Sequence, residues 1–448
     1  MKLRLTSPLV LLLLLLLVTQ LFAADWYVSV SRGSNKSGDG SIANPYKAIE
    51  EAVKQTQPGD TIRIAAGHYP GLAKCGHWVI EKNNLTFVGG YNEEFTARDP
   101  FGTISLLAWD ASESNKSERW PSPEFEGVKD ESGDSAFGLG GITIDGLVFD
   151  GGPRNAYFED PDNPTMRTDK TPNDTLLMLE IASGATGIVR NCTFLNPGVA
   201  PGAILSGRPG SKFEVYNNVF VNGVHHQLDA VCKTDNKQNR CDFSIHHNTF
   251  VFAWKTTAGG SGVRVHPYTN CDIHHNIFAW GDFNGVNNQF YEKRLDARGV
   301  PKNGLVNDQV KLDYNLFHMF QDGVYGFVLE GRSGNLSAWE LIDLEDSSVA
   351  SARGNEIGDP VYEYNKTWMH IFLNRKDAVA GAVKMDPLNL LLAFLGFPVR
   401  SEEGSGKEGW CCRYPLADVM AFRHAASEYD AEGNLKTDYR GATRQIME

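Results

Sequence analysis

The chain has 448 residues, a formal net charge of −13 and seven cysteines. The acidic balance argues against a nucleic-acid partner, because nucleic acids demand a basic footprint. It does not argue against a polyanionic carbohydrate, since a local basic cleft can lie on an acidic surface.

Residues 1–24 predict a secretory signal peptide. The start MKLRLTSPLVLLLLLLLVTQLFAA has basic residues, an apolar centre and small residues at Ala23 and Ala24. The apolar part is too short for a membrane span, and no other long apolar run follows. We therefore expect a secreted or periplasmic protein that acts as a monomer away from the membrane. In such a compartment Cys232 and Cys241, which flank a short polar loop, are the pair most expected to form a disulfide.

Residues 38–71 predict the covered end of a stack of strands. The stretch GDGSIANPYKAIEEAVKQTQPGDTIRIAAGHYPG contains a turn, an amphipathic helix and a strand. A cap is needed because the open end of a stack exposes unpaired backbone groups. The stretch resembles the opening of secreted β-helix proteins of the pectate-lyase-like superfamily, in which a helix covers the first coil.

One strand signature recurs along the chain at intervals of 26 to 45 residues. Each copy ends in phenylalanine, has Ile, Val or Leu five residues earlier, and the last four copies have asparagine two residues earlier. Alternating apolar residues indicate half-buried strands, and irregular spacing indicates coils with loops of varying length. The phenylalanines are Phe149, Phe194, Phe220, Phe250, Phe278 and Phe317, and the asparagines are Asn218, Asn248, Asn276 and Asn315.

This repeat predicts an all-β fold, a right-handed parallel β-helix over residues 25–338. The coils stack about 4.8 Å apart, and the asparagines form a ladder at one corner. An antiparallel sandwich is the alternative, but Asn-Gly and Asp-Gly hairpin turns are scarce. After residue 338 the signature fades, and helical spacing predicts a partly helical C-terminal extension, residues 339–448, that packs on the last coils.

Two copies of the signature contain the string IHHN, at residues 245–248 and 273–276. The four histidines are candidates for a metal site, because stacked coils bring equivalent residues together. They also occupy the position that Tyr216 and Asn217 hold in the preceding copy. The sequence favours the second interpretation, in which the histidines belong to the scaffold.

Lys233 and Arg264 are the candidate catalytic residues. Alternation directs Leu228, Ala230 and Cys232 inward and Lys233 outward in LDAVCK, while Arg264 points outward in GVRVHPYT. If the two strands are equivalent, we expect the two cations on one outer face, about one coil apart. A lysine close to an arginine loses its proton more readily, whereas the arginine stays charged. The alternative is that both are solvated surface residues.

The segment also resembles polysaccharide lyases of the alginate lyase and chondroitinase B type. In that group a lysine segment precedes an NTF-type strand and an arginine–histidine segment follows one coil later; here VCKTDN precedes HHNTF, and VRVHP follows. The resemblance implies Lys233 as base, Arg264 as the second catalytic cation and His266 as their neighbour. Lys233 is followed by threonine rather than serine, and a valine separates Arg264 from His266.

The resemblance implies β-elimination on an acidic, uronate-containing polysaccharide. Calcium is the possible cofactor, and its family ligands correspond only to Asp229 and Asn218. Further substrate contacts are expected from His225, His226, Tyr268, Lys255, Trp254 and Asn287.

Other functions stay open. A uronan epimerase begins with the same proton abstraction, and a non-catalytic glycan-binding protein needs no cleft at all. A glycoside hydrolase needs two or three converging carboxylates, and the sequence offers only isolated aspartates here.

Overall fold

A computed structural model of the chain describes residues 23–71, 80, 82–108, 124–125, 140–151, 159–160, 163–167, 175–197, 201–223, 225–234, 238–253, 260–281, 283–288, 309–320, 323–329, 332–336, 350–362, 414, 416–423, 430–432, 434–436 and 438–448.

The regular structure of these residues is mostly β-strand, arranged in three long sheets that the chain visits in turn. Sheet A has the spatial order β1 (Asp25–Val28), β2 (Thr61–Ala65), β4 (Leu85–Tyr91), β7 (Ile142–Asp145), β12 (Thr186–Arg190), β15 (Lys212–Tyr216), β18 (Cys241–His246), β21 (Thr269–His274) and β24 (Val310–Asp313). Sheet B contains β3 (Gly67–Tyr69), β5 (Ser105–Ala108), β8 (Val148–Asp150), β13 (Thr193–Leu195), β16 (Val219–Gly223), β19 (Thr249–Ala253), β22 (Ile277–Gly281), β25 (Leu316–Phe320) and β28 (Glu356–Ile357). Sheet C contains β6 (Glu124–Phe125), β11 (Leu177–Ile181), β14 (Ala203–Gly207), β17 (Leu228–Cys232), β20 (Ser261–Val265), β23 (Asn284–Asn287), β26 (Tyr325–Leu329) and β27 (Arg332–Leu336).

Strands pair in parallel along all three sheets, and only the last pair of sheet C, β26 with β27, is antiparallel. A separate antiparallel pair joins β9 (Glu159–Asp160) to β10 (Asn163–Arg167). From β7 to β26 each coil gives one strand to each of the three sheets, so the fold is a parallel β-helix and the predicted all-β solenoid is confirmed. A right-handed turn is the sense that parallel strands joined by crossovers adopt.

The predicted capping helix is present as α1, Ile49–Gln55. Its apolar face buries Ile49, Ala52 and Val53 against β1 and β2. A 3-10 helix, Leu416–Arg423, lies in the predicted C-terminal extension and packs Val419 and Phe422 against sheet B. Most of residues 339–448 and the predicted signal peptide, apart from Ala23 and Ala24, lie outside the described residues.

The recurring phenylalanines form one continuous stack inside the coils. Adjacent rings from Phe149 to Phe317 are nearly parallel, with centroids 4.5–5.2 Å apart. All six side chains are at most 1 % exposed. The stack therefore supplies the apolar interior that the sequence pattern predicts.

The recurring asparagines form the predicted ladder at the corner between sheets A and B. The Nδ2 of Asn248 donates to Oδ1 of Asn276 at 3.1 Å, and Asn276 repeats this with Asn315 at 3.0 Å. Each Oδ1 also accepts the backbone N–H of the asparagine in the preceding coil. Because buried polar groups must be hydrogen-bonded, the ladder supplies the partners that the backbone N–H groups of this corner need. The predicted disulfide between Cys232 and Cys241 is also present.

Candidate functional site

The candidate residues lie on the outer face of sheet C. Strands β17 and β20 are neighbours in this sheet, as the sequence predicts, and Leu228, Ala230, Val263 and Val265 are fully buried inside. The register, however, places Asp229 beside Arg264. Lys233 follows four residues later, about 13 Å further along the strand. The expected closeness of Lys233 and Arg264 is therefore wrong.

Asp229 and Arg264 form a two-pronged ion pair across the coils. Nε of Arg264 donates to Oδ1 at 3.0 Å, and Nη2 donates to Oδ2. Burial on its own would raise the pKa of Asp229, but Arg264 and His266 outweigh that effect and hold the pKa well below its ordinary value. Asp229 is thus a carboxylate paired with the guanidinium of Arg264.

His266 lies against the same carboxylate. Its Nε2 is 3.6 Å from Oδ2 of Asp229, the oxygen that Nη2 of Arg264 also contacts. Burial lowers the pKa of His266, Arg264 lowers it further, and Asp229 opposes both. The ring is therefore neutral near pH 7, with a lone pair on one nitrogen. A fixed cation and a neutral imidazole thus meet at one oxygen atom.

His225 and His226 lie at the entrance to β17. Their rings meet edge to face with centroids 4.2 Å apart, and Nδ1 of His226 contacts Oγ of Ser261. Burial lowers the pKa of His226 strongly, and the neighbouring His225 and Arg264 add to this. Both histidines are buried, so the structure gives them a supporting position behind the site.

The remaining predicted contacts are distributed around this centre. Asn287 lies beside Arg264 in the register of β20 and β23, so Asp229, Arg264 and Asn287 line up across three coils. Tyr268 lies at the corner after His266 with a backbone φ of 67°, in the left-handed region. Trp254 and Lys255 lie outside the described residues.

Lys233 belongs to a second charged cluster on sheet C. Its Nζ donates to Oε2 of Glu180, while Arg208 donates to Oε1 from Nε at 3.0 Å and from Nη2 at 2.8 Å. The Nζ of Lys233 is thus engaged by the Glu180 carboxylate and belongs to a different cluster from Arg264. The cluster carries one positive charge in excess on a chain whose net charge is −13.

Sequence reasoning missed Glu180 and Arg208. Glu180 follows Leu177 and Leu179 in a strand whose other side chains are apolar, and glutamate is depleted in strands. That was a usable signal for an outward functional or ion-paired position. Arg208 comes after β14, and nothing in its local sequence indicates its partner.

The predicted calcium ligands have other partners. The amide of Asn218 is part of the ladder, where Oδ1 accepts from Cys192 N and Nδ2 donates to Val189 O. The carboxylate of Asp229 is bound by Arg264. Among the described residues, no group of three or more His, Cys, Asp or Glu side chains could hold a metal ion. Asp229 and Asn218 do not form a calcium site by themselves, and calcium binding by this protein stays a prediction.

Comparisons with known proteins show likeness only in overall shape. No family model matches the chain, and no curated protein matches it. Among solved structures, a pectin methylesterase variant in complex with a hexasaccharide is 12% identical over 75% of this chain and 93% of its own, with a TM-score of 0.33. The lacto-N-biosidase of Eubacterium ramulus is 10% identical over 70% of this chain and 68% of its own, with a TM-score of 0.28. XylC with xylose is 10% identical over 74% and 82%, with a TM-score of 0.23. Resemblances this distant carry no argument about activity.

None of the helices in the described part of the chain is long and apolar enough to cross a bilayer.

Proposed function

We propose that this protein is an exported enzyme that cleaves a uronate-containing polysaccharide by β-elimination. The observation that carries the proposal is the meeting of Arg264 and neutral His266 at one oxygen of Asp229. β-Elimination needs a cation to neutralise the substrate carboxylate and a base to remove the proton on the adjacent carbon. These are the two groups that the site holds side by side.

Arg264 is the proposed carboxylate-binding group. A guanidinium has five N–H donors, and the ion pair with Asp229 engages Nε and Nη2, so Nη1 is the donor directed to substrate. A fixed charge that faces the developing enolate-like anion lowers the barrier without reorganisation during the reaction.

His266 is the proposed base, in place of Lys233. The Nε2 atom lies 3.6 Å from Oδ2 of Asp229, which is an ion-pair distance and not a hydrogen bond. In the proposed tautomer the proton is on Nε2, where the carboxylate favours it, and the lone pair is on Nδ1. Proton abstraction there forms an imidazolium, which Asp229 stabilises, and the imidazolium returns the proton to the departing 4-linked oxygen. Lys233 and Arg208 bind a further anionic group of the polymer in this scheme.

The experiment is an ultraviolet assay for the unsaturated uronate product on a panel of uronate polymers. Wild-type protein is compared with Arg264→Gln, His266→Gln and His318→Gln, a matched control whose histidine lies on sheet B. Product formation that both site variants abolish and the control retains supports the proposal. Product formation that survives both site variants contradicts it.

Two alternatives use the same residues differently. A uronan epimerase shares the proton abstraction and would give inverted uronates, seen by NMR, with no unsaturated product. A non-catalytic glycan-binding protein would bind the polymer and leave it unchanged in both assays.

A further inference from the structure

The corner between sheets A and B carries a second column of residues beside the asparagine ladder. Asn191, Asn217, His247, His275 and Tyr314 occupy equivalent places in five successive coils, each with a backbone φ between 53° and 55°. Asparagine suits this left-handed conformation because its short side chain can bond locally. The two histidines therefore take a position that asparagine holds in the two preceding coils.

The last residues of the chain cross this column as a strap, residues 439–447. The N–H groups of Gly441 and Thr443 donate to His275 O at 2.9 Å and to Asn217 Oδ1 at 2.7 Å. The side chain of Asn191 binds the backbone of Met447. Its Nδ2 donates to the Met447 carbonyl at 2.9 Å, and its Oδ1 accepts from the Met447 N–H at 3.1 Å. Arg440 Nε donates to Tyr314 O at 2.8 Å. The strap thus ties five coils together on their outer side.

The histidines form a two-by-two array beneath the start of the strap. His246 stacks on His274 at 4.9 Å, and His247 stacks on His275 at 5.1 Å. Within each coil the two Nδ1 atoms are 2.9 Å apart. Such a contact needs one N–H donor and one lone pair, so it cannot survive when both rings of a pair carry a second proton. The ring of Tyr439 covers His247 at 4.4 Å.

Few opposite charges are available to compensate protonation of the array. The carboxylates of Asp272 and Asp313 raise the pKa of His274, and those of Asp438 and Asp272 raise the pKa of His275, although burial leaves both pKa values below the ordinary value. Arg440 lowers the pKa of His275, and the neighbouring histidines lower the pKa values of His275 and His247. The other groups stacked on the array are the rings of Tyr216, Tyr314 and Tyr439. Burial and mutual repulsion lower the pKa of His246 to about 4 and that of His247 to about 3.

We propose that the histidine array is an acid-sensitive latch, and that its protonation releases the C-terminal strap from the corner between sheets A and B. The release is local, because the ladder asparagines and the phenylalanine stack do not titrate. The array holds the strap closed at neutral pH through the Tyr439 contact and the His275 carbonyl.

The chain itself provides the matched variant. The preceding coil has Tyr216 and Asn217 where the array has histidine pairs, and Tyr216 already stacks on His246 at 5.1 Å. A variant with His246→Tyr, His247→Asn, His274→Tyr and His275→Asn therefore extends a column that the fold already accommodates, without groups that titrate near neutral pH.

Hydrogen exchange of the full chain measures the release. The reporter peptide covers residues 438–448, the control peptide covers β11 and β12, and both are followed from neutral pH to about pH 4, with rates corrected for intrinsic exchange. Each proton taken up on opening changes the opening equilibrium by about tenfold per pH unit. We expect the wild-type strap to lose at least about tenfold in protection while the control peptide and the variant's strap keep theirs.

Three outcomes would overturn the proposal. The wild-type strap could keep its protection down to about pH 4. The variant could lose protection as wild type does, which would place the titrating group elsewhere. The control peptide could lose protection together with the strap, which would mean global unfolding instead of local release.

Discussion

The corner between sheets A and B and the outer face of sheet C are built on opposite principles. At the corner, equivalent positions of successive coils hold equivalent residues, so each asparagine bonds to the next one. On sheet C, Asp229, Arg264 and Asn287 occupy equivalent positions and are chemically different. The repeated asparagines stabilise many coils through the same hydrogen bond. The unlike residues on sheet C instead place a carboxylate, a guanidinium and an amide side by side, as a reactive site requires.

Removing one partner of the Asp229–Arg264 pair is expected to have the largest effect on stability. Asp229→Asn leaves a largely buried guanidinium without its counter-charge and should lower the free energy of unfolding by about 3 kcal/mol. Denaturant unfolding measures this change. The control is Asp242→Asn, whose partner Asn270 is on the exposed surface. A loss no larger than that of the control would show that the pair does not hold the two coils together.

Breaking the ladder should cost slightly less. Asn248→Ala leaves the backbone N–H of Asn218 and the Val215 carbonyl without their buried partner. The expected loss is about 2 to 3 kcal/mol in denaturant unfolding. Asn355→Ala at the end of the ladder, where the amide is only partly buried, is the comparison and should cost less. Equal losses would contradict the expectation that burial of the asparagine amide sets the cost of removing it.

The free energy of unfolding of the whole chain should fall on acidification because of the four histidines at the corner between sheets A and B. The pKa values of the four histidines lie below the unfolded value of 6.5, so the unfolded state binds protons first as the pH falls. Stability is then complete above about pH 6.5 and is lost as the pH falls toward about pH 4, by a few kcal/mol in total. The tyrosine–asparagine variant should flatten this profile in thermal unfolding. A profile that stays equally steep in the variant would assign the loss to carboxylates.

Lys233 should give the smallest effect. Lys233→Gln removes an ion pair whose lysine side chain is 46% exposed, so its contribution to stability is about 0.2 to 1 kcal/mol. If Lys233 binds an anionic group of the polymer, KM should rise several-fold while kcat changes little. Steady-state kinetics on the polymer that gives product would separate the two constants. A fall in kcat by orders of magnitude would restore Lys233 as the base.

The sequence was most informative where residues repeat. Alternation predicted the buried faces of β17 and β20, and the recurring phenylalanine and asparagine predicted the stack and the ladder. Alternation gives only the face of a strand and leaves its register open. The register of β17 against β20 depends on the connecting segments, so the sequence could place Lys233 and Arg264 on one face but not at the right distance.

The partners of the charged residues were hidden for a related reason. Glu180 meets Lys233 although 53 residues separate them, and Arg264 meets Asp229 across 35 residues. No local pattern encodes such pairs, because each is made by the stacking of coils. The disulfide was predictable because its two cysteines flank a single loop.

The central claim is that the cluster of Asp229, Arg264 and His266 is the catalytic centre, with His266 as base. The most direct test is kcat for formation of unsaturated uronate by wild type, His266→Gln and Lys233→Gln on the same polymer. We expect a fall of about 10² to 10⁴-fold for His266→Gln, the usual contribution of a positioned base, and little change for Lys233→Gln. The reverse result, with His266→Gln active and Lys233→Gln inactive, would contradict it.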